Sequence, residues 1–134
     1  MNISETSVRV RYSEVDRMGF AYYGHYATWF EVGRVEALRK IGVSYKELED
    51  RGVVLPVKHY EVDFIKPVFY DDLITIRTIV PKIPDVRFEF EYEILNDQKE
   101  LLCTAKTTLF FYSKADGRPC RPPGWLIDLI RKNC

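Results

Sequence analysis

The sequence predicts an α+β protein in which one antiparallel sheet packs a single long helix against one face. One segment carries apolar residues at helical spacing, several others alternate apolar and polar residues, and short turn signals join most of the alternating segments. Because such turns connect neighbouring strands tightly, those strands run antiparallel. A long sheet with only one helix to cover it is expected to curl around that helix.

The long helix is predicted to begin at Tyr26. Apolar and small residues recur at helical spacing from there to Ile41, and Gly42 stands where a C-terminal cap belongs. The apolar stripe is wide, so this helix is expected to be largely buried. A capping-box pattern at Ser44 predicts a second, short helix that stops at Gly52.

Strands account for most of the remaining chain. The clearest one runs from Val86 to Ile94, where apolar residues alternate with Arg87 and three glutamates. The other predicted strands are Ser7–Tyr12, Tyr60–Phe64, Leu73–Val80 and Leu101–Tyr112, with turns at 71–72 and 96–99. One strand therefore precedes the long helix and four follow it. Pairing with a second copy would remove an exposed sheet edge, so a homodimer is expected.

Length and composition narrow the function classes. The 134 residues suit one domain spanning 1–134, and 20 basic residues offset 20 acidic ones. A formal net charge of zero disfavours binding to nucleic acid. No apolar run approaches the roughly 20 residues of a membrane span, and residues 1–9 lack the apolar core of a signal peptide. We therefore expect a cytoplasmic protein without membrane insertion.

The three cysteines suggest neither a disulfide framework nor a zinc site. Cys103, Cys120 and Cys134 are an odd number and show no CxxC spacing. We expect all three to be reduced. Cys103 lies in a predicted strand and is interpreted as a small core residue rather than a nucleophile.

The candidate site is the loop between the first strand and the long helix. A helix start presents unpaired backbone N–H groups that can polarise a carbonyl, and Gly24 would let an acyl group approach them. Asp16 can act as a general base on water or as a nucleophile. The polar, aromatic and glycine residues of this loop are Glu14, Asp16, Arg17, Gly19, Tyr22, Tyr23, Gly24 and His25.

The residue pattern leaves structural alternatives open. Asp16 can instead cap a turn, and His25 can be a structural hydrogen-bonding residue. Glu31, on the long helix, can reach a ligand across a dimer or pair with an arginine, whereas His59 is expected on the surface. No Ser/His/Asp order, phosphate-binding glycine loop or metal-ligand spacing is present, which disfavours serine hydrolases, P-loop enzymes and metallohydrolases.

Two blocks of the sequence resemble one known family. VRVRYSEVDRMGFAYYGHYATWFEVGRVEALR, from Val8 to Arg39, is similar to the N-terminal signature of the 4-hydroxybenzoyl-CoA thioesterases, a branch of the hotdog superfamily that includes Tol–Pal-associated acyl-CoA thioesterases. YEVDFIKPVFYDDL, from Tyr60 to Leu73, is similar to a second block of that family. The resemblance covers about residues 6 to 113.

The resemblance implies a specific enzyme. Its fold would be a five-stranded antiparallel sheet wrapped around the long helix, in dimers or tetramers with active sites between subunits. It would hydrolyse an acyl-CoA, or an acyl carrier protein thioester, without a metal or prosthetic group. Asp16 matches the family's catalytic aspartate, and Tyr23 matches the residue whose backbone N–H polarises the thioester carbonyl. Gly19, Tyr22 and Gly24 would contact the substrate.

One position departs from the family pattern. Many members have an asparagine where this chain has His25, and that asparagine helps to shape the active-site loop.

The sequence leaves two rival functions open. A hotdog dehydratase or hydratase would use His25 as its base and give an enoyl or 3-hydroxyacyl product. A binding module without chemistry would hold an acyl chain or a partner protein and release no thiol.

Overall fold

Residues 2–133 fold into one large sheet, one small sheet and three helices. The computed structural model describes residues 2–133. The strands are β1 (Asn2–Arg9), β2 (Val53–Val54), β3 (Val57–Phe64), β4 (Leu73–Val80), β5 (Arg87–Leu95), β6 (Leu101–Phe110), β7 (Tyr112–Ser113) and β8 (Arg118–Pro119). The helices are α1 (Tyr26–Lys40), α2 (Tyr45–Asp50) and α3 (Gly124–Lys132), with single 3₁₀ turns at Tyr12–Glu14 and Tyr23–His25.

The large sheet has the order β1-β4-β5-β6-β3, and every neighbouring pair is antiparallel. Alternation in β5 sets its two faces, because the apolar residues from Phe88 to Ile94 are buried and the intervening glutamates are only partly covered. The rings of Phe88 and Phe90 stack with centroids 4.4 Å apart. The buried aromatic face of the central strands thus forms the floor of the core.

Helix α1 packs on this floor against β1 and β4. Phe30 and Leu38 are almost completely buried. Gly33 allows the close approach, because a Cβ atom there would lie 2.5 Å from Oγ1 of Thr78 and 2.8 Å from Cγ2 of Ile76. A helix with a side chain at this position would have to move away from β4. The predicted five-stranded antiparallel sheet around one long helix is confirmed.

The predicted C-terminal end of α1 and both predicted ends of α2 are confirmed. The chain leaves α1 through Gly42, whose φ of +104° favours glycine. The Ser44 hydroxyl accepts a hydrogen bond from the backbone N–H of Glu47 at 3.0 Å and so caps α2. Gly52, with φ of +90°, follows α2.

The first strand lies earlier in the chain than predicted. The expected strand Ser7–Tyr12 is in fact β1, Asn2–Arg9, and Tyr12 is 79% exposed rather than buried. This pairing ends at Val10, whose amide donates to the carbonyl of Asp72, and the chain then turns into a 3₁₀ segment at Tyr12. Local alternation alone did not show where pairing with β4 ends.

Helix α3 and the small sheet β2-β7-β8 were not predicted. The sequence does carry a signal for α3, since Leu126 and Ile130 are buried at helical spacing after two prolines. The guanidinium of Arg51 lies 4.2 Å from the centre of the Trp125 ring and links α3 to the end of α2. Within residues 2–133, no helix has the length and apolar character needed to cross a bilayer.

Candidate active site

The loop that carries Asp16 is a small hairpin. Val15 and Ala21 pair as an antiparallel bridge, and the Asp16 amide donates to the carbonyl of Phe20 at 2.9 Å. The turn closes when the Gly19 amide donates to the carbonyl of Asp16 at 3.0 Å. Gly19 has φ of +81°, a conformation that favours glycine. Gly19 therefore has a conformational role in this turn, and its predicted contact with substrate stays a prediction.

The carboxylate of Asp16 is exposed and only partly engaged. Its Oδ1 accepts a hydrogen bond from the backbone N–H of Met18 at 2.9 Å, which is an Asx turn. Its Oδ2 accepts no hydrogen bond from any residue in the range 2–133. Asp16 thus caps a turn with one oxygen and presents the other to solvent, so the structural and chemical interpretations do not exclude each other.

A cleft of about 660 Å³ opens beside Asp16. The ring of Tyr12 meets the ring of Tyr70 edge to face, with centroids 5.5 Å apart. Both residues are more than half exposed. The residues that line the cleft are Tyr12, Val15, Asp16, Arg17, Gly19 and Tyr70. The cleft therefore combines an exposed carboxylate with two aromatic rings.

The start of α1 offers backbone donors. The 3₁₀ turn before α1 makes its first hydrogen bond from the amide of His25 to the carbonyl of Tyr22, at 2.9 Å. Over residues 2–133 the amides of Tyr23 and Gly24 donate to no backbone carbonyl. Two N–H groups next to the positive end of a helix are thus available to an acceptor.

The aromatic residues of the helix start form their own cluster. The Tyr22 ring lies 4.6 Å from that of Tyr23 and 5.8 Å from that of His25, between centroids. A Cβ atom on Gly24 would lie 2.6 Å from Cε2 of Tyr22, so the space above Gly24 holds this ring. Neither ring nitrogen of His25 bonds Asp16 anywhere in the described range 2–133. The structure places Asp16 and Gly19 in the cleft but not Tyr22, Tyr23, Gly24 or His25.

Glu14 is the residue whose importance the sequence did not reveal. It is buried, and its carboxylate accepts hydrogen bonds from the Arg11 amide at 2.7 Å and from the Trp29 indole at 3.1 Å. Burial alone raises the pKa of Glu14, but the hydrogen bonds from Arg11 and Trp29 and the Arg11 charge hold this pKa below its ordinary value. The spacing of Arg11 and Glu14 was visible in the sequence, whereas the contact with Trp29 depends on the fold.

Comparison with known proteins decides the family. The model of the thioesterase-like superfamily matches residues 10–130. The chain belongs to this superfamily. A DHNA-CoA thioesterase structure from Staphylococcus aureus has a TM-score of 0.91 and 36% identity, covering 98% of this chain and 91% of the other.

Named relatives agree with this assignment. Bacillus subtilis YneP, provisionally named an acyl-CoA thioesterase, is 29% identical over 119 residues, or 89% of this chain and 86% of YneP. The Haemophilus influenzae acyl-CoA thioesterase YbgC is 29% identical over 91 residues, which is 67% of each chain. The predicted hotdog thioesterase family, and with it a thioester-hydrolysing enzyme, is confirmed.

The remaining candidate residues of the thioesterase are the cysteines, His59 and Glu31. Burial, with a smaller contribution from the Asp63 charge, raises the pKa of the Cys103 thiol to about 12, which supports its interpretation as a core residue. Cys120 is half-buried and free, and Cys134 lies outside the described residues. His59 is exposed, as expected, and Glu31 is exposed without an ion pair within residues 2–133.

Proposed function

We propose that this thioesterase hydrolyses the thioester of an acyl-CoA to a carboxylic acid and free CoA, with Asp16 at the reacting carbon. The observation that carries this proposal is the free Oδ2 of Asp16 in an open cleft. A carboxylate held by one oxygen keeps its orientation, while its other oxygen can reach a water molecule or the carbonyl carbon. Gly19 supports this geometry through the turn.

The amides of Tyr23 and Gly24 supply the complementary group. As the nucleophile attacks, negative charge develops on the carbonyl oxygen, and backbone donors at a helix start stabilise it. If Asp16 acts as a base, it takes a proton from water as the water oxygen bonds to carbon, and the C–S bond then breaks to release CoA thiolate. If Asp16 attacks directly, its oxygen bonds to the carbonyl carbon, the C–S bond breaks to release CoA thiolate, and water later hydrolyses the resulting anhydride. A thiolate leaves readily, so neither route requires a strong acid.

The exposed edge of the large sheet supports a homodimer. Strand β3 ends the sheet, and among residues 2–133 it pairs only with β6. Its apolar side chains remain accessible, with Val57 49%, Tyr60 38% and Phe64 51% exposed. A second copy would cover such an edge, and substrate could then lie between the two chains. We also propose that two such dimers form a tetramer. The proposed location of the protein is the cytoplasm.

The acyl group that the enzyme prefers can be identified by a direct activity measurement. The aromatic faces of Tyr12 and Tyr70 support aromatic acyl-CoA substrates, and the Staphylococcus aureus relative is named for one. We would measure thiol release from short, long and aromatic acyl-CoA thioesters and from an acyl carrier protein thioester. Free thiol with the matching carboxylic acid is the expected result. An enoyl or 3-hydroxyacyl product would favour a dehydratase or hydratase, and binding without product would favour a binding module.

A further inference from the structure

Glu14 lies where three segments of the site meet. Its Oε1 accepts from the Arg11 amide at 2.7 Å, and its Oε2 accepts from the Trp29 indole at 3.1 Å and from Nη2 of Arg11 at 3.3 Å. Its backbone carbonyl accepts from the Tyr22 amide at 2.9 Å. One residue thus joins the end of the β1 segment, helix α1 and the chain just before the helix start.

The Glu14 side chain is buried, so its carboxylate depends on hydrogen-bond donors of the protein. Its side chain is only 4% exposed, whereas the Arg11 side chain that pairs with it is 72% exposed. A buried carboxylate is costly unless hydrogen bonds satisfy its oxygens, and removing one partner leaves the rest unsatisfied. Both oxygens of Glu14 are satisfied by donors from different segments. These hydrogen bonds therefore tie the segments to one another through one buried side chain.

The two proposed reacting groups are attached directly to this junction. Asp16 follows Glu14 by two residues, and Tyr23 follows Tyr22, which Glu14 binds through its carbonyl. We propose that Glu14 is a positioning residue for thioester hydrolysis, fixing the loop that carries Asp16 against the first turns of α1 through Trp29. This inference rests on the proposed function. It adds that the spacing between the Asp16 carboxylate and the Tyr23 amide depends on a second, buried carboxylate.

The variant Glu14→Gln changes the hydrogen-bonding capacity of residue 14 while keeping the size of its side chain nearly unchanged. Glutamine has nearly the same shape but only one acceptor oxygen, so it can satisfy the Arg11 amide or the Trp29 indole but not both. Its NH₂ group would face the remaining donor. Because displacement of a reacting group by about 1 Å can cost about 10²-fold in rate, we expect a large fall in kcat. KM should change little, since Glu14 does not line the cleft.

The experiment compares three variants by thiol release and by thermal unfolding. Glu14→Gln tests the junction, and Trp29→Phe removes the same hydrogen bond from the helix side. Ser44→Ala, which loses the cap of α2, is the stability control because it weakens the fold away from the loop. We expect kcat to fall by about 10- to 100-fold in the first two variants at temperatures where each is folded. The Ser44→Ala variant should keep the native kcat.

A spectroscopic measurement distinguishes positioning from general destabilisation. The chain has two tryptophans, so the indole N–H signal of Trp29 can be followed by NMR with Trp125 as internal reference. In Glu14→Gln the Trp29 indole signal and the backbone amide signals of Asp16 and Tyr23 should shift, while the Trp125 signal stays. A shifted Trp29 signal with unchanged kcat would overturn the proposal, because the bond would then be structural only.

Failure of the proposed function would be visible separately. If the native protein releases no thiol from any thioester, the thioesterase proposal fails, whereas the NMR comparison still tests the junction. Amide signals of Asp16 and Tyr23 that shift together in Glu14→Gln would support the link between these segments. Signals that stay at their native positions would contradict it.

Discussion

At the scale of single residues, the site contrasts two carboxylates that lie two positions apart. Asp16 is exposed with one oxygen free, whereas Glu14 is buried with both oxygens bonded. Their environments suit different tasks, because a reacting carboxylate must reach substrate while a positioning carboxylate must not move. The sequence predicts Asp16 as a candidate from its place in the loop before the long helix, and family resemblance strengthens that prediction. It could not assign Glu14, because the decisive donor is an indole 15 residues away.

The ionisation of Glu14 predicts how stability depends on pH. Its pKa in the folded protein lies below the ordinary value of 4.5, because hydrogen bonds from Arg11 and Trp29 favour the charged form. Its contribution to stability is therefore complete above pH 4.5 and is lost as pH falls through the folded-state pKa. The difference in unfolding free energy between native protein and Glu14→Gln should be constant near neutrality and shrink in acid. Urea unfolding at several pH values measures it, and a difference that grew in acid would be contrary to this assignment.

Gly33 gives a second prediction at this scale. An alanine there would place its Cβ against Thr78 and Ile76, both on β4. Overpacking costs about 1–3 kcal/mol, against roughly 1 kcal/mol regained from alanine's higher helix propensity. Gly33→Ala should lower the urea midpoint, whereas Gly124→Ala, where the added atom meets nothing within 4 Å, should not. Equal midpoints for the two variants would show that α1 can move away from the sheet without cost.

At the scale of elements, periodicity predicts segments with one buried face best. Strand β5 and helix α1 follow their patterns because each buries a regular stripe. The pattern misplaces β1, whose end depends on the contact between Val10 and Asp72. In β3, Tyr60 and Phe64 alternate as the strand pattern predicts, but both are exposed at the sheet edge. Edges and strand ends depend on neighbours that one segment does not reveal.

Helix α3 closes one side of the core and should contribute strongly to stability. Leu126 is completely buried in the main hydrophobic cluster, whereas Asp128 on the same helix is exposed. Leu126→Ala should destabilise the protein by about 2–5 kcal/mol, the usual cost of removing a buried leucine side chain. Asp128→Ala should change stability by less than about 0.5 kcal/mol. Calorimetric unfolding compares the two, and similar melting temperatures would mean that α3 is not part of the cooperative core.

At the scale of the whole molecule, the free edge at β3 predicts the state of association. Val57 on β3 and Ile3 on β1 are exposed apolar residues on the two opposite edge strands of one sheet. If dimers form through β3, Val57→Lys should weaken association, while Ile3→Lys should leave it unchanged. Sedimentation equilibrium gives the mass of each variant. A native protein that stays monomeric, or one dissociated by Ile3→Lys alone, would contradict pairing through β3.

The most direct test of the central claim is the turnover number of Asp16→Asn with the best acyl-CoA substrate. Asp97→Asn, which changes an exposed aspartate in the turn between β5 and β6, is the matched control. A positioned general base contributes about 10²–10⁴-fold to rate, so Asp16→Asn should lose at least that much kcat while still binding substrate. Asp97→Asn should keep native turnover. Equal turnover of the two variants would contradict a role for Asp16 in the reaction.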